Sequence, residues 1–304
     1  MATVTEPEPR SHRRLRGSRS QQLVDELFER INSVSSLPSA VMHILAVTAD
    51  PQSEAADLLE AVEGDPAIAA RILRIVNSSF YPLQRTIGDL KTAITLLGFM
   101  EIRNLALTAC VSNLFGSGGQ HGCYSRQGLW QHSTGVGAAA RLIARNRGRP
   151  SAGEAYLAGL LHDLGLILID QHLHGPFCKL LDQLEPDMPI CAVELAVLGF
   201  DHTELGSHIA RRWQFPDEVT DAIRFHHEPE QYDGPHRDMV CVVTMADFIC
   251  TLHGHTALGV RNIPEPPNEV IDHLAFQPDD IRMFQQQLEQ TLAGANVMAS
   301  AGVD

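Results

Sequence analysis

Basic residues are scarce in this 304-residue chain, in which 23 lysines and arginines stand against 37 aspartates and glutamates. The formal net charge of −14 repels phosphate backbones and anionic lipid, so we expect neither nucleic acid nor membrane as a partner. Long apolar runs are scarce as well, because the longest, residues 156–161, is followed at once by His162 and Asp163. We therefore expect no membrane-spanning helix.

Closely spaced cysteine pairs are missing from the sequence. The chain is too long to need a disulfide framework, so we predict free thiols at all six cysteines. The N-terminus also shows no apolar stretch followed by a small-residue cleavage site, and together these features predict a cytoplasmic protein. The six cysteines are Cys110, Cys123, Cys178, Cys191, Cys241 and Cys250.

Alternating apolar and polar residues, the pattern of a half-buried strand, are nearly absent. Apolar residues instead recur at helical spacing, as at Leu23, Leu27 and Ile31. We predict an all-α fold of about a dozen helices in two bundles. After a first helix that starts at residue 20, the predicted helices cover residues 41–48, 53–63, 65–76, 89–97, 102–114, 129–146, 152–170, 176–184, 189–196, 202–213, 217–226, 239–253 and 278–292.

A glycine-rich stretch at residues 116–128 is the clearest loop and predicts a boundary between two helical parts. Five arginines and two prolines mark the N-terminal residues as a solvated tail. The predicted organisation is a disordered basic tail at 1–19, a first helical subdomain at 20–115, a second at 129–255 and a C-terminal extension with one helix at 256–304. We expect the residues from 294 onward to fray.

Histidine is frequent, with 15 residues, and several histidines lie beside acids or each other. His162-Asp163 lies within Leu-Ala-Gly-Leu-Leu-His-Asp-Leu-Gly-Leu, and Asp247 lies within Met-Ala-Asp-Phe-Ile. A buried carboxylate with only apolar neighbours is costly, so each of these acids needs a partner or a metal ion. The predicted metal ligands are His132, His162, Asp163, His202, His226, His227 and Asp247.

Imidazole nitrogens and carboxylate oxygens suit borderline divalent metals, which here means Fe, Mn, Ni, Co or Zn. The carboxylate of Asp163 is able to bridge two ions, and paired ions polarise a phosphoryl group and generate hydroxide. The alternative is a set of core histidines that bond to the backbone and to acids without any metal. That alternative is the better interpretation of any one histidine, whereas the whole set favours metal.

The segment Gly135-Val-Gly137 imitates the glycine pattern of a dinucleotide-binding loop. That loop requires a preceding strand, whereas this segment lies inside a predicted helix. We therefore predict that these glycines allow close helix packing, and we find no cofactor-binding motif in the chain.

Several motifs, in their order along residues 20–255, resemble those of the HDOD domain. They are Leu37-Pro38-Ser39, Asp65-Pro66-Ala67, Leu73-Arg74-Ile75-Val76-Asn77-Ser78, Ala93-Ile94-Thr95-Leu96-Leu97-Gly98, Trp130-Gln131-His132-Ser133, Ala158-Gly159-Leu160-Leu161-His162-Asp163-Leu164-Gly165 and His226-His227-Glu228-Pro229. The resemblance implies an N-terminal helical subdomain packed on an HD-like helical subdomain. It also implies a bacterial regulatory protein of the HD superfamily.

The same resemblance assigns the candidate ligands. His132, His162, Asp163 and Asp247 match the pattern His…His-Asp…Asp of HD domains, and His202, His226 and His227 match the further histidines of HD-GYP cyclic-dinucleotide phosphodiesterases. The chain departs from HD-GYP enzymes at three places. Leu166 replaces a lysine, Gly128 replaces a glutamate, and the Gly-Tyr-Pro sequence is missing.

Two functions stay open on these residues. One is a signal-transduction protein that acts mainly through contacts with signalling protein partners and carries a divalent-metal site. The other is a metal-dependent phosphohydrolase or cyclic-dinucleotide phosphodiesterase, with a nucleotide ligand and Asp163 as its catalytic residue. Leu166 favours the first, because a leucine cannot stabilise charge on a phosphoryl group.

Overall fold

The computed structural model describes residues 18–34, 39–50, 52–78, 81, 85–116, 118–185, 188–260 and 265–300. Within these residues the chain is almost entirely helical, and its only sheet is one two-stranded ribbon, which confirms the all-α fold. The predicted tail lies outside the described residues up to position 17, as do residues 301–304.

The elements follow one another along the chain with short connections. They are α1 (Ser18–Val34), α2 (Ser39–Ala49), α3 (Ala55–Glu63), α4 (Pro66–Val76), α5 (Leu90–Leu97), α6 (Phe99–Phe115), β1 (Gln120–His121), β2 (Tyr124–Ser125), α7 (Arg126–Arg147), α8 (Ala152–Leu161), α9 (Leu164–His172), α10 (His174–Gln183), α11 (Ile190–Val197), α12 (His202–Arg212), α13 (Asp217–Phe225), a 3-10 turn (Pro229–Gln231), α14 (Arg237–Leu252), α15 (Asn268–His273) and α16 (Pro278–Ser300). Most predicted helices occur with ends within three residues of the expected ones.

Helix starts follow local capping rules. Asp65 caps α4 by accepting hydrogen bonds from the backbone N–H groups of Ala67 and Ile68, at 2.9 and 3.2 Å. The end of α4 is fixed by Asn77, whose side chain accepts from the N–H of Ile87 at 2.7 Å and donates to its carbonyl at 2.8 Å. This asparagine therefore ties α4 to the segment that leads into α5.

Glycines bring α7 and α8 together at backbone distance. A Cβ on Gly159 would lie 2.8 Å from the carbonyl oxygen of Val136, and one on Gly137 would lie 2.9 Å from the carbonyl oxygen of Tyr156. Both contacts are shorter than real side chains tolerate. Gly137 of the dinucleotide-like pattern thus serves helix packing, as predicted for this segment.

Buried ion pairs and an aromatic contact join the earlier helices to the later ones. Arg103 of α6 pairs with Glu154 of α8, and both side chains are buried. Helix α1 packs on the segment that carries α12, since the rings of Phe28 and Phe200 meet edge to face at 5.0 Å. The apolar residues of all these helices form one continuous core.

The helix predicted over 152–170 is wrong in its continuity. Helix α8 ends at Leu161 and α9 begins at Leu164. Asp163 has φ −98° and ψ 19°, outside the helical region, and the imidazole of His162 bonds to the carbonyl of Gly159 at 2.7 Å. The break matters because it places both side chains of the His-Asp pair in the centre of the fold.

Two further predictions need correction. The loop predicted at 116–128 contains the ribbon β1–β2, and α7 begins at Arg126 because the hydroxyl of Ser125 accepts from the N–H of Gly128 at 3.0 Å. The C-terminal extension contains two helices, α15 and α16, in place of one. The prolines before α15 are compatible with a helix start, and α16 continues to Ser300, past the predicted end at residue 292.

One stretch, Ala152–His172, is long and apolar enough to cross a membrane by length and composition. It comprises α8 and α9, and 89% of its most apolar window is buried inside the fold. Its apolar character is therefore that of a core segment. All six cysteines are free, as predicted.

Candidate metal centre

All seven predicted ligands lie together. Six of the side chains are buried and His227 is half-buried. They come from five places in the fold: the interior of α7, the α8–α9 junction, the start of α12, the residues after α13, and the interior of α14. Their donor atoms form two groups within 4.8 Å, one of Asp163, His202, His226 and His227 and the other of His132, His162 and Asp247.

Asp163 lies between these two groups. Its Oδ2 is 3.2 Å from Nε2 of His162 and 3.5 Å from Nε2 of His132. Its Oδ1 is 3.3 Å from Nε2 of His202 and 3.8 Å from Nε2 of His226. We call the first side subsite A (His132, His162, Asp247 and Asp163 Oδ2) and the second subsite B (His202, His226, His227 and Asp163 Oδ1).

The spacing within each subsite fits a single ion. Ligands that bind one ion at about 2.0–2.2 Å in a tetrahedral arrangement lie roughly 3.4 Å from one another. In subsite A, Nε2 of His132 lies 3.2 Å from Nε2 of His162 and 3.3 Å from Oδ1 of Asp247. In subsite B, the Nε2 atoms of His202 and His226 are 3.4 Å apart.

Four of the histidines are oriented by acceptors on their outer side. When Nδ1–H donates outward, the lone pair of Nε2 faces the cluster, which is the orientation of a metal ligand. The acceptors are the carbonyl of His255 for His132 (2.7 Å), the carbonyl of Gly159 for His162 (2.7 Å), the carbonyl of Ile223 for His226 (3.0 Å) and the carboxylate of Glu194 for His202 (2.7 Å).

The electrostatics of the cluster also suit cations. Burial opposes ionisation of Asp163, but the neighbouring His162 and His202 outweigh it and hold the pKa of that carboxyl well below its usual range. Burial and the adjacent His227 keep the pKa of His226 well below its usual value, and burial lowers the pKa of His227 to about 4. The site therefore offers an ionised Asp163 and neutral imidazoles at His226 and His227, the forms in which both groups bind metal.

The pKa values of two other histidines, His132 and His202, are shifted upward. Burial disfavours their charged forms, yet Asp247 raises the pKa of His132, and Glu194 raises the pKa of His202 well above the usual value. In the metal-free protein each therefore holds its proton more strongly than a free imidazole does, and a metal ion must displace that proton in order to bind.

A small cavity adjoins the cluster. The centres of water-sized molecules have about 30 Å³ available to them, which is room for one or two waters. Among the described residues its lining contains no lysine or arginine, and Leu166 occupies the wall beside Asp163. The lining residues are His132, Asp163, Leu166, Ile190, His227, Asp247, Thr251, Ala257, Leu258 and Val260.

The residues thus fit divalent ions, as the resemblance to HD domains implies. The donors are imidazole nitrogens and carboxylate oxygens at suitable spacing, Asp163 presents one oxygen to each subsite, and the outer acceptors fix the rings. The same donors also lie within hydrogen-bond distance of one another, as Nε2 of His132 and Nε2 of His162 do at 3.2 Å.

Sequence reasoning missed the four outer acceptors of this site, Glu194 and three backbone carbonyls. Glu194 lies inside the apolar helix α11, and an acid among apolar residues was the same signal that identified Asp247. The carbonyl of His255 gave no signal, because a backbone acceptor has no side chain that a sequence displays.

Known proteins share this arrangement of helices. The HDOD domain protein of Geobacter sulfurreducens, whose function is unknown, is 26% identical and has a TM-score of 0.70, with 94% of this chain and 97% of that chain covered. A structure from Marinobacter aquaeolei described as a signal transduction protein is 25% identical and has a TM-score of 0.73, with 93% of this chain and 65% of that chain covered.

The sequence comparisons agree. An uncharacterised protein of Treponema pallidum (strain Nichols) is 25% identical over 246 residues, which are 79% of this chain and 46% of that protein. The chain thus spans about half the length of this curated relative. The family model of the HDOD domain matches residues 34–229, which include every candidate ligand except Asp247. The chain belongs to the HDOD domain family.

Proposed function

We propose that this chain is a signal-transduction protein that binds two divalent ions in its HD-like subdomain and acts mainly through contacts with other signalling proteins. In this proposal the subdomains are those of the sequence prediction, 20–115 and 129–255, and hydrolysis of phosphodiesters is weak or absent. The relative from Marinobacter aquaeolei, described as a signal transduction protein, supports the signalling part.

The single observation that carries the metal part is the position of Asp163. Its two oxygens lie 3.2 and 3.3 Å from imidazole nitrogens of different groups, so one carboxylate is shared by both subsites. The donor set comes from elements far apart in sequence, from α7 to α14. Bound ions would therefore crosslink five parts of the fold, and loss of the ions would loosen all five together.

The cavity favours a relay, meaning a protein that passes on a signal through protein contacts, over an enzyme. Sites that bind small molecules usually offer about 300–1,000 Å³, whereas the space beside Asp163 has room for one or two waters. Leu166, Leu258 and Val260 give it an apolar wall, and the described part of its lining carries no cationic side chain. Charge that develops on a phosphoryl group would therefore find stabilisation only from the ions themselves.

Hydrolysis of a phosphodiester by paired ions is the second candidate function. The shared carboxylate favours it, because paired ions held by a bridging group polarise a phosphoryl oxygen and generate hydroxide. The chain itself would contribute Asp163 as the shared ligand and His227 at the cavity wall. The segment that contains Ala257, Leu258 and Val260 borders the space that a substrate would enter.

Metal analysis combined with a hydrolysis assay tests the proposal. We expect purified wild type to hold two ions per chain and to show no robust turnover of cyclic dinucleotides or nucleotides in the presence of Mn²⁺, Fe²⁺ or Zn²⁺. Asp163→Ala should lose both ions. Asp233→Ala, which removes an exposed aspartate outside the cluster, is the matched control and should keep them.

The outcomes separate the two functions. Robust hydrolysis by wild type that Asp163→Ala abolishes would establish the enzyme and refute the relay. A wild-type protein that binds no divalent ion under metal-replete conditions would refute the metal centre itself.

A further inference from the structure

Glu194 is a buried acid next to the candidate metal centre. Its side chain is 0% exposed inside α11. One carboxylate oxygen, Oε2, accepts two hydrogen bonds from His202, one from the backbone N–H at 3.0 Å and one from Nδ1–H at 2.7 Å. The other oxygen, Oε1, is buried and has no hydrogen-bond partner in the described part of the chain.

This acceptor differs in kind from those of the other histidines. His132, His162 and His226 each donate to a neutral backbone carbonyl, whereas His202 donates to a carboxylate. A carboxylate on Nδ1 increases the electron density that the imidazole offers through Nε2, and it fixes the ring orientation as well. Among the described residues, a histidine held in this way occurs in subsite B and not in subsite A.

Burying the Glu194 carboxylate beside the candidate metal centre costs free energy. A buried charge with one unpaired oxygen is stable only if positive charge lies close by. The nearest group able to share such charge is His202, whose Nε2 lies 3.3 Å from Oδ1 of Asp163. A divalent ion in subsite B would supply positive charge to Glu194 through this ring, and subsite A has no equivalent group.

We propose that Glu194 is a positioning residue for subsite B, which holds His202 with Nε2 toward Asp163 and makes this subsite bind divalent ions more tightly than subsite A. The proposal rests on the proposed metal centre. It adds to that centre an inequality between the two subsites and a residue outside the ligand set that causes it.

Zinc titration of metal-free protein against a chromophoric chelator tests the proposal, with wild type, Glu194→Gln and Glu194→Ala compared. Loss of an outer-sphere carboxylate weakens metal binding by about 10- to 100-fold. We expect Glu194→Ala to weaken the binding of only one of the two zinc ions, the more tightly bound one, by that factor. Glu194→Gln keeps an acceptor for Nδ1–H but loses the charge, so its effect should be intermediate.

Asp170→Asn is the matched control. Asp170 is also fully buried, but its partners Tyr124, Arg126 and His174 lie outside the cluster. The substitution should lower the stability of the fold and leave both zinc affinities at the wild-type values. The absorption spectrum of Co²⁺-loaded protein gives a second readout, since a change in the ligation of subsite B would alter it in the Glu194 variants alone.

The results that overturn the proposal are distinct from those that overturn the metal centre. If wild type binds two zinc ions and Glu194→Gln binds both as tightly, with an unchanged Co²⁺ spectrum, Glu194 is only structural. The proposed difference in affinity between subsites B and A is also wrong if Glu194→Gln weakens the binding of both zinc ions equally. If wild type binds no zinc at all, the proposed function fails together with this inference.

Discussion

Gly165→Ala would disturb the backbone packing beside the candidate metal centre without removing any of the seven candidate ligands. Gly165 lies on α9 against the first residue of α12. A Cβ at this position would lie 1.9 Å from the carbonyl oxygen of His202, 2.7 Å from its carbonyl carbon and 2.8 Å from its Cα. These atoms are backbone atoms, so no side-chain rotation can relieve the contact.

The size of the displacement follows from these distances. Ordinary contact begins at 3.4 Å, so the oxygen and the new methyl group must separate by 3.4 − 1.9 = 1.5 Å. Metal ligands tolerate only about ±0.2 Å in bond length. A shift of this size moves His202 out of reach of subsite B. Overpacking of this kind also destabilises a fold by about 1–3 kcal/mol, partly offset by a helix-propensity gain of about 0.5–1 kcal/mol.

We expect Gly165→Ala to lose one of the two zinc ions and to unfold at lower urea concentration than wild type. Gly175→Ala is the matched control, because Gly175 lies on α10 with no atom within 4 Å of a new Cβ. That change should leave zinc binding unaltered and stabilise the helix by about 0.4–1 kcal/mol at most. A Gly165→Ala protein with wild-type stability and both ions bound would refute the close packing of α9 on His202.

Three further predictions follow from the structure. His132 and His202 have raised pKa values in the metal-free protein, so zinc must displace protons in order to bind. The apparent zinc affinity should therefore fall as the pH is lowered from about 8 to about 6, and calorimetry in two buffers should detect proton release. A zinc affinity that does not depend on pH would contradict this prediction. Glu154→Ala leaves Arg103 buried without its carboxylate and should lower the free energy of unfolding by about 3–5 kcal/mol in urea titrations; a loss below about 1 kcal/mol would show that the pair is solvated. Phe28→Ala removes the ring that joins α1 to Phe200, so the unfolding free energy should fall by about 3–5 kcal/mol, and an unchanged value would show that α1 is not held on α12.

Local chemistry made much of the fold predictable. Asp65 followed by Pro66 marks a helix start, and the observed cap uses that aspartate. The His-Asp pair was recognisable because an ionisable pair in an apolar run needs partners, and the structure supplies them. The break of the helix at this pair was not predictable, since periodicity continues unchanged from α8 into α9 and only tertiary contacts select the turn.

Other features depend on contacts between distant segments. The short ribbon after α6 lacks an alternating pattern because each strand has only two residues. Glu194 carried the same signal as Asp247, yet the sequence does not show that it faces His202. Leu166 was identified from the family pattern, and its place in the cavity wall became visible only in the folded chain.

The metal content of purified protein, with hydrolysis measured on the same sample, tests the central claim most directly. The account predicts two divalent ions per chain in wild type, none in Asp163→Ala, and no robust turnover of a phosphodiester by either protein. A wild-type chain that remains free of metal after exposure to Fe²⁺, Mn²⁺ and Zn²⁺ would contradict the account at its base. Wild-type turnover that Asp163→Ala abolishes would keep the metal centre but replace the relay with an enzyme.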